Sequence, residues 1–318
     1  MDKEATSLVQ GPAATPPGAA VKRHYRVRRW LTPYLLLLPA GFLYILFIAY
    51  PIFKQFDISF YNWHVFPGAS NPFVGWSNYV KIFHDPELKT ALMNTVLFAV
   101  ITVPVQMVLG LFAAALLTDR MPSRGLWRAL IFIPVVTSWV VVSYVFAYIF
   151  ADQGGVANAV LSIFVGHTVH VDWLANRWTG NAVIWIMSIW KGIGWSFIMF
   201  LAALDGVPRD LLESSRVDGA SERRVWRYVV IPNIRPTITF VTVLLLIGAS
   251  QVFTQVYVIT GGSANQSLFV SMGVMLTQAY QDAFTFFYFG YAAAIASLMA
   301  VVILALSIWY IRLMRRRP

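Results

Sequence analysis

The chain has 318 residues, of which 58% are hydrophobic and only 12% charged, and its mean hydropathy is +0.65. Such a balance excludes an ordinary soluble domain and indicates an integral membrane protein. No cysteine occurs, so neither a disulfide framework nor a thiolate metal site is available, and the net charge of +10 must be explained by where the cations lie.

In chain order, the first 21 residues are rich in Ala, Pro and Gly with no hydrophobic period. With the basic cluster that follows, they predict a disordered cytoplasmic tail over 1–30. A helix needs about 20 apolar residues to cross ~30 Å of hydrocarbon while satisfying its own backbone. Six stretches meet that need: Leu31–Phe53, Ala91–Thr118, Arg128–Phe150, Ala182–Leu204, Pro236–Ile259 and Tyr288–Ile311. The first is long, holds Pro33 and Pro39, and lacks a small-x-small cleavage site, so it reads as a retained span rather than a signal peptide. The expected fold is all-α, a six-helix membrane domain over 31–311 with a large loop at 205–235, and a basic tail over 312–318. Ser267–Tyr280 is apolar but too short to span, which suggests an interfacial or re-entrant helix.

Positive charge orients this domain. Lys22, Arg23, Arg26, Arg28 and Arg29 precede the first span; Arg120, Arg124 and Arg128 lie between the second and third; Arg209, Arg216, Arg223, Arg224, Arg227 and Arg235 lie between the fourth and fifth; Arg312 and Arg315–Arg317 follow the last. These alternate loops carry most of the cations, which places both termini in the cytoplasm. The basic charge is thus one of topology and anionic headgroups, and not of a folded nucleic-acid surface.

The loop at 205–235 has its own local logic. Pro208 suits a first helical position, and Asp210 and Glu213 would then place negative charge near a helix N-terminus. Gly219 suits a left-handed helix end. Ser221 is a candidate cap for a second helix, which Pro232 and Pro236 are expected to break before the fifth span. The pattern predicts two short helices joined by a glycine turn, either presented to a partner or lying amphipathically on the membrane surface.

Glu213-Ser214-Ser215, two residues, Asp218-Gly219-Ala220, and Pro232 at the end resemble the Glu-Ala-Ala loop of the membrane subunits of binding-protein-dependent ABC importers. Two serines stand for alanines, and Val229 and Ile231 fill the aliphatic positions before the proline. Phe73-Val74-Gly75-Trp76-Ser77-Asn78-Tyr79, Trp190-Lys191-Gly192 and Tyr257-Val258-Ile259-Thr260-Gly261-Gly262, with Ser263 in place of a proline, are similar to segments of the carbohydrate-uptake branch, of the maltose and glycerol-phosphate type. The resemblance covers roughly residues 34–311. It implies a permease subunit in a bacterial or archaeal inner membrane, translocating a carbohydrate or similar polyol. It implies four kinds of neighbour: a second homologous permease, two ATPase subunits, an extracytoplasmic solute-binding protein, and the lipid bilayer. In that family the loop docks on the ATPase, so Glu213, Ser214, Ser215, Asp218, Gly219, Ala220 and Pro232 would couple. ATP and Mg would be bound by the partner and no cofactor by this chain.

Polar groups inside spans default to function because they are expensive there. Lys191 carries charge in the fourth span and suggests either a structural bond to a carbonyl or a path for an anionic solute. Trp190, Gly194 and Phe197 share one face of that span, suited to stacking on a sugar or to helix packing. Ser250, Gln251, Thr254 and Gln255 form a polar stripe of the fifth. Asn94 and Gln106 read as interhelical hydrogen bonds. No phosphate-binding Gly-rich loop occurs, the His167, His170, Asp172 spacing is that of a solvated loop rather than a metal site, and no nucleophile and base cluster as an enzyme would need. Glycerol phosphate or a phosphodiester is the alternative solute class, and a secondary carrier the alternative mechanism.

Overall fold

A computed structural model describes residues 33–66, 68, 70–118, 123–262 and 266–315. The disordered-tail expectation for 1–30, and those for Arg120, Ser263 and Arg316–Pro318, concern residues outside this set. Two compact units divide between Lys54 and Gln55. The described residues of the first, Pro33–Lys54, belong to helix α1 (Pro33–Ile58), which contains a π-helical turn at Ile45–Ala49.

The second unit is a helical bundle: α2 (Ser77–His84), α3 (Pro86–Leu116), α4 (Arg124–Val136), α5 (Trp139–Ile149), α6 (Val156–Val165), α7 (Arg177–Asp205) and α8 (Arg209–Val217). Then come α9 (Glu222–Val225), a π turn (Trp226–Val230), α10 (Ile231–Ser250), α11 (Thr254–Ile259), α12 (Gln266–Met272), α13 (Met275–Phe284) and α14 (Phe289–Arg315). Among the described residues the only β pairing is an isolated antiparallel bridge between Tyr61 and Phe73. Among the described residues, five helices are long and apolar enough to cross a membrane, or six if α4 and α5 count as one span bent by 96°.

The long pair α3 and α7 makes the most extensive contact in the bundle. Asp85 starts α3 by accepting from the Glu87 and Leu88 amides, and Pro86 occupies the first turn, where a missing N–H costs nothing. The two helices close tightly because Gly110 leaves no side chain: a Cβ there would lie 2.6 Å from that of Ser196. Phe98, Val103, Ile184 and Met187 fill one core across this contact, and Ala114, Phe197, Phe200 and Leu204 another nearer α8.

Two expectations are corrected. Pro232 and Pro236 do not break a helix before the fifth span. Helix continues from Glu222 through Ser250, because the π turn before Pro232 shifts the hydrogen-bond ladder, with the Ile231 amide donating to the Trp226 carbonyl. The third span, expected to be continuous, is instead split at residues 137–138, where Thr137 and Ser138 are extended. Ser267–Tyr280 holds nearly all of α12 and the first six residues of α13. Asn94 Nδ2 donates to the Ser271 and Gly273 carbonyls (3.0 and 2.8 Å) between them, and Asn94 Oδ1 accepts from Arg177.

Candidate functional site

A cavity of about 340 Å3 lies among α3, α5, α7, α10 and α11. Three helix faces build its wall. Phe98, Thr102 and Gln106 recur at every fourth residue of α3; Ser188, Gly192 and Trp195 share a face of α7. The third wall exists because helix stops at Ser250 and resumes at Thr254: Phe253 leaves helical backbone (φ −143°, ψ −63°), and Gln251, Thr254 and Gln255 turn to the cavity. The polar lining is entirely of hydroxyls and amides, and no charged side chain occurs among these lining residues. Gln106 Nε2 donates to the Ser188 carbonyl at 3.3 Å. Ser188 Oγ is buried without a protein partner, a state that buried hydroxyls avoid unless water or a ligand meets them. Trp139, Trp195 and Phe253 add aromatic surface.

Lys191 is close to this cavity but turned away from it. Its Nζ donates to the carbonyls of Pro134 (2.6 Å), Val135 (3.1 Å) and Thr137 (2.6 Å). These are the carbonyls that the end of α4 leaves without intrahelical partners, and an ammonium offers three donors. The same ammonium lies 4.9 Å from the centre of the Trp139 ring. Lys191 therefore stitches the break that starts α5 at the cavity wall.

The second feature is the exposed segment between α7 and α10. Gly219 adopts φ +74°, the left-handed conformation that closes α8, with Ala220 N bonded to the Ser215 carbonyl at 3.0 Å. Arg216 and Glu222 bridge the turn at 3.1 Å. Val207, Leu212, Ala220, Val225 and Ile234 seat the segment on Phe200, Leu201 and Leu204 of α7 and on Ala114 and Leu117 at the end of α3. Glu213, Ser214, Asp218 and Val217 stay exposed, Val217 by 87%. Asp205, where α7 ends, is bonded to Arg124 (3.1 Å) and Arg128 (3.4 Å) of α4.

Residues 106–317 match the family described as "Binding-protein-dependent transport system inner membrane component". The chain belongs to this family. It is 32% identical over 280 residues to the "Probable ABC transporter permease protein YurN" of Bacillus subtilis, covering 87% of this chain and 94% of that one. It is 32% identical over 300 residues to the "Lactose transport system permease protein LacF" of Rhizobium radiobacter, covering 92% and 96%. A solved bacterial ABC transporter "involved in the import of the acidic polysaccharide alginate" superposes with a TM-score of 0.77 at 22% identity, covering 93% of this chain and 99% of its own, and shares the fold.

Within this inner-membrane subunit the expected solute-path residues separate. Gln251, Thr254 and Gln255 line the cavity, but the interruption between α10 and α11 means that they do not form one helical stripe. Ser250 bonds back to the Leu246 carbonyl at 2.8 Å. The Trp190, Gly194, Phe197 face looks elsewhere. Trp190 is half-exposed beside Phe146, Phe197 is wholly buried in the core, and a Cβ on Gly194 would strike the Ile131 carbonyl of α4. The Ser188, Gly192, Trp195 face, two residues out of step, is the one that reaches the cavity. Its signal was the small-residue gap at Gly192, where a Cβ would collide with the Gln106 side chain. In the exposed segment Pro208 precedes α8 instead of starting it, and Glu213 sits mid-helix, leaving Asp210 as the acid of the first turn.

Proposed function

We propose that this permease passes a neutral carbohydrate or similar polyol through the cavity beside Gln251 and Gln255, driven by ATPase subunits that grip Glu213–Ala220 and the Pro232 end of α10. The observation that carries the reading is the lining itself. Amides and hydroxyls beside tryptophan and phenylalanine rings, with no fixed charge, suit the hydroxyls and apolar ring faces of a sugar. Relatives described as permeases for lactose and for arabinooligosaccharides support the same class. The reason for an anionic solute was the charge of Lys191, and that charge is engaged by three carbonyls.

The full transporter would place a second, similar permease beside this one, two ATPases at the α8 end and a solute-binding protein at the other. A solved alginate importer described "in complex with alginate pentasaccharide-bound periplasmic protein" supports such a delivery partner. Both termini then lie in the cytoplasm with α8, where most of the cations fall. Closure of the ATPases would move α8 and rock the bundle between two states with opposite access.

The test is uptake by intact cells of labelled lactose and of glycerol phosphate, in wild type and in Gln251→Ala plus Gln255→Ala. Sugar uptake is expected to fall at least about ten-fold, since each lost buried hydrogen bond costs ~1 kcal/mol, while complex assembly is retained. Unchanged sugar uptake, or uptake of the anion alone, would overturn the reading.

A further inference from the structure

The wall of the cavity continues beyond it as a row of aromatic rings. Phe253, which lines the cavity, packs 5.0 Å from Tyr280 of α13, centre to centre. Tyr280 meets Phe284 at 4.9 Å, and Phe284 meets Phe289 at 6.0 Å. Phe289 meets Phe287 at 6.5 Å, and Phe287 meets Phe66 at 5.4 Å. Six rings thus run in contact from the break between α10 and α11, along α13, to the segment that precedes α2. Phe253 is half-buried at the cavity, whereas Phe284 and Phe66 are 60% and 58% exposed.

Two features separate this row from ordinary lipid-facing surface. The exposed apolar residues of α3 and α14 are mostly aliphatic, such as Val96, Val100 and Leu304, but every exposed apolar side chain between 280 and 289 is aromatic. Asp282, the one charged residue of that stretch, is buried. The second feature is strain. Phe287 holds φ +60°, a left-handed conformation that glycine adopts freely and a bulky residue adopts at a cost. The Phe286 amide donates to the Gln281 carbonyl at 3.0 Å and the Tyr288 amide to that of Asp282 at 2.7 Å, which fixes the turn. Glycine would close this turn unstrained; phenylalanine adds a ring set against Phe66 and Phe289. A belt of interfacial anchors keeps to one level of the membrane, and this row instead leads to a ring of the cavity wall.

Resting on the reading of the cavity as a carbohydrate path, we propose that the six rings extend it as stacking subsites for the trailing units of a linear, neutral oligosaccharide. The apolar C–H face of a sugar packs on an aromatic ring while its hydroxyls stay in water, and successive rings offer the same contact to each unit as it advances. At about 340 Å3 the cavity is at the small end for a ligand pocket. The rest of a longer chain has to lie along a wall that leads out, and Phe253 joins the cavity to such a wall.

The test measures initial uptake of radiolabelled lactose and arabinopentaose by intact cells, and recovery of the complex from the same membranes. Wild type should carry both sugars. Phe284→Ala should slow arabinopentaose about five-fold, the scale of one lost aromatic contact, and leave lactose within about two-fold. Phe287→Gly relieves the left-handed strain, so it should slow arabinopentaose in the same way at an unchanged or higher melting temperature. A fall in melting temperature with equal loss of both sugars would mean a packing role and would overturn the proposal. Phe286→Ala is the control, because Phe286 is as exposed as Phe287 (43% each) yet its ring meets Tyr288 instead of the row; uptake should not change. An effect of Phe286→Ala as large as that of Phe284→Ala would indicate a membrane belt, and loss of the other subunits from the Phe284→Ala complex would indicate a subunit contact; either would overturn the subsites. Wild type that carried lactose alone, or neither sugar, would overturn them too. Lactose uptake that survived Gln251→Ala plus Gln255→Ala would be a separate failure, that of the cavity as a sugar site.

Discussion

The ammonium of Lys191 meets three carbonyls where α4 stops, and this determines what its removal should do. Lys191→Met leaves the Val135 and Thr137 carbonyls without this donor, while Pro134 keeps the Thr137 hydroxyl, at ~1–3 kcal/mol for each group left buried and unpaired. Uptake of every solute should fall together with the melting temperature of the purified protein; a loss confined to anionic solutes, at unchanged stability, would put Lys191 in the path instead. Asp282 poses a different problem at the same scale. It lies on α13, outside the spans, almost wholly buried, with one carboxyl oxygen lacking a protein partner. Burial first, and then the neighbouring Asp85 charge, push its pKa up to about 7, against opposing pulls from Gln278 and Lys81. An unfolded aspartate ionises near ~3.9. The native state thus holds a proton that the unfolded state has released, and stability falls as pH rises from about 4 to about 7. Melting temperatures of wild type should drop between pH 5.5 and 8, and those of Asp282→Asn should stay level over that range. A parallel drop in both would assign the effect to other groups. Neither result was legible in the sequence. Lys191 showed itself as a charge in a span, but its partners sit more than fifty residues away, and nothing local to Asp282 sets it beside Asp85, nearly two hundred residues earlier.

At the scale of elements, the turn at Gly219 is where sequence and structure agree most closely, because a left-handed φ of +74° is a local demand that glycine answers by itself. Gly219→Ala meets no neighbouring atom and should cost only the strain of the left-handed conformation, about 1–2 kcal/mol, with uptake reduced but present. Gly219→Pro cannot adopt that φ and should abolish uptake while the protein still reaches the membrane, read by immunoblot beside transport. Equal uptake by both variants and wild type would show that the turn is not used. The number and type of spans were legible from apolar length. Their interruptions were not. Pro134 lies in the last turn before the split in the third span, expected from sequence to be continuous; a split there also needs a donor for the orphan carbonyls, and Lys191 comes from another helix. Pro232 and Pro236 pointed to a break that the π turn at Trp226–Val230 removed, since proline's missing N–H matters only where the ladder would have used it. On α7, two faces two residues out of step both held an aromatic and a glycine, and only contact with Gln106 distinguishes them.

For the whole molecule, the exposed segment and the cavity occupy separate places joined by shared packing. Leu212 and Ala220 rest on a core that includes Leu204 and Ala114, and Met107 borders both that core and the one beside the cavity. Glu213→Lys changes an exposed side chain outside both cores, so membrane insertion and the melting temperature should hold while sugar-stimulated ATP hydrolysis by the assembled complex fails. If hydrolysis and uptake persist together, the ATPase grips some other surface.

Residues 222–250 form one unbroken helical run whose ends are the turn after Gly219 and the interruption at Gln251. A run of that length, about 43 Å at 1.5 Å per residue, is a crankshaft: it fixes the phase between what happens at its two ends. One alanine inserted near residue 245 would turn Gln251 by about 100° while adding only ~1.5 Å, so transport should be lost by misphasing although no contact residue has changed. The shaft also works backwards. In the proposed cycle, a solute that held Gln251 in one orientation would bias the far end by the symmetry of linkage, and an empty cavity and a loaded one would present different faces to the ATPase.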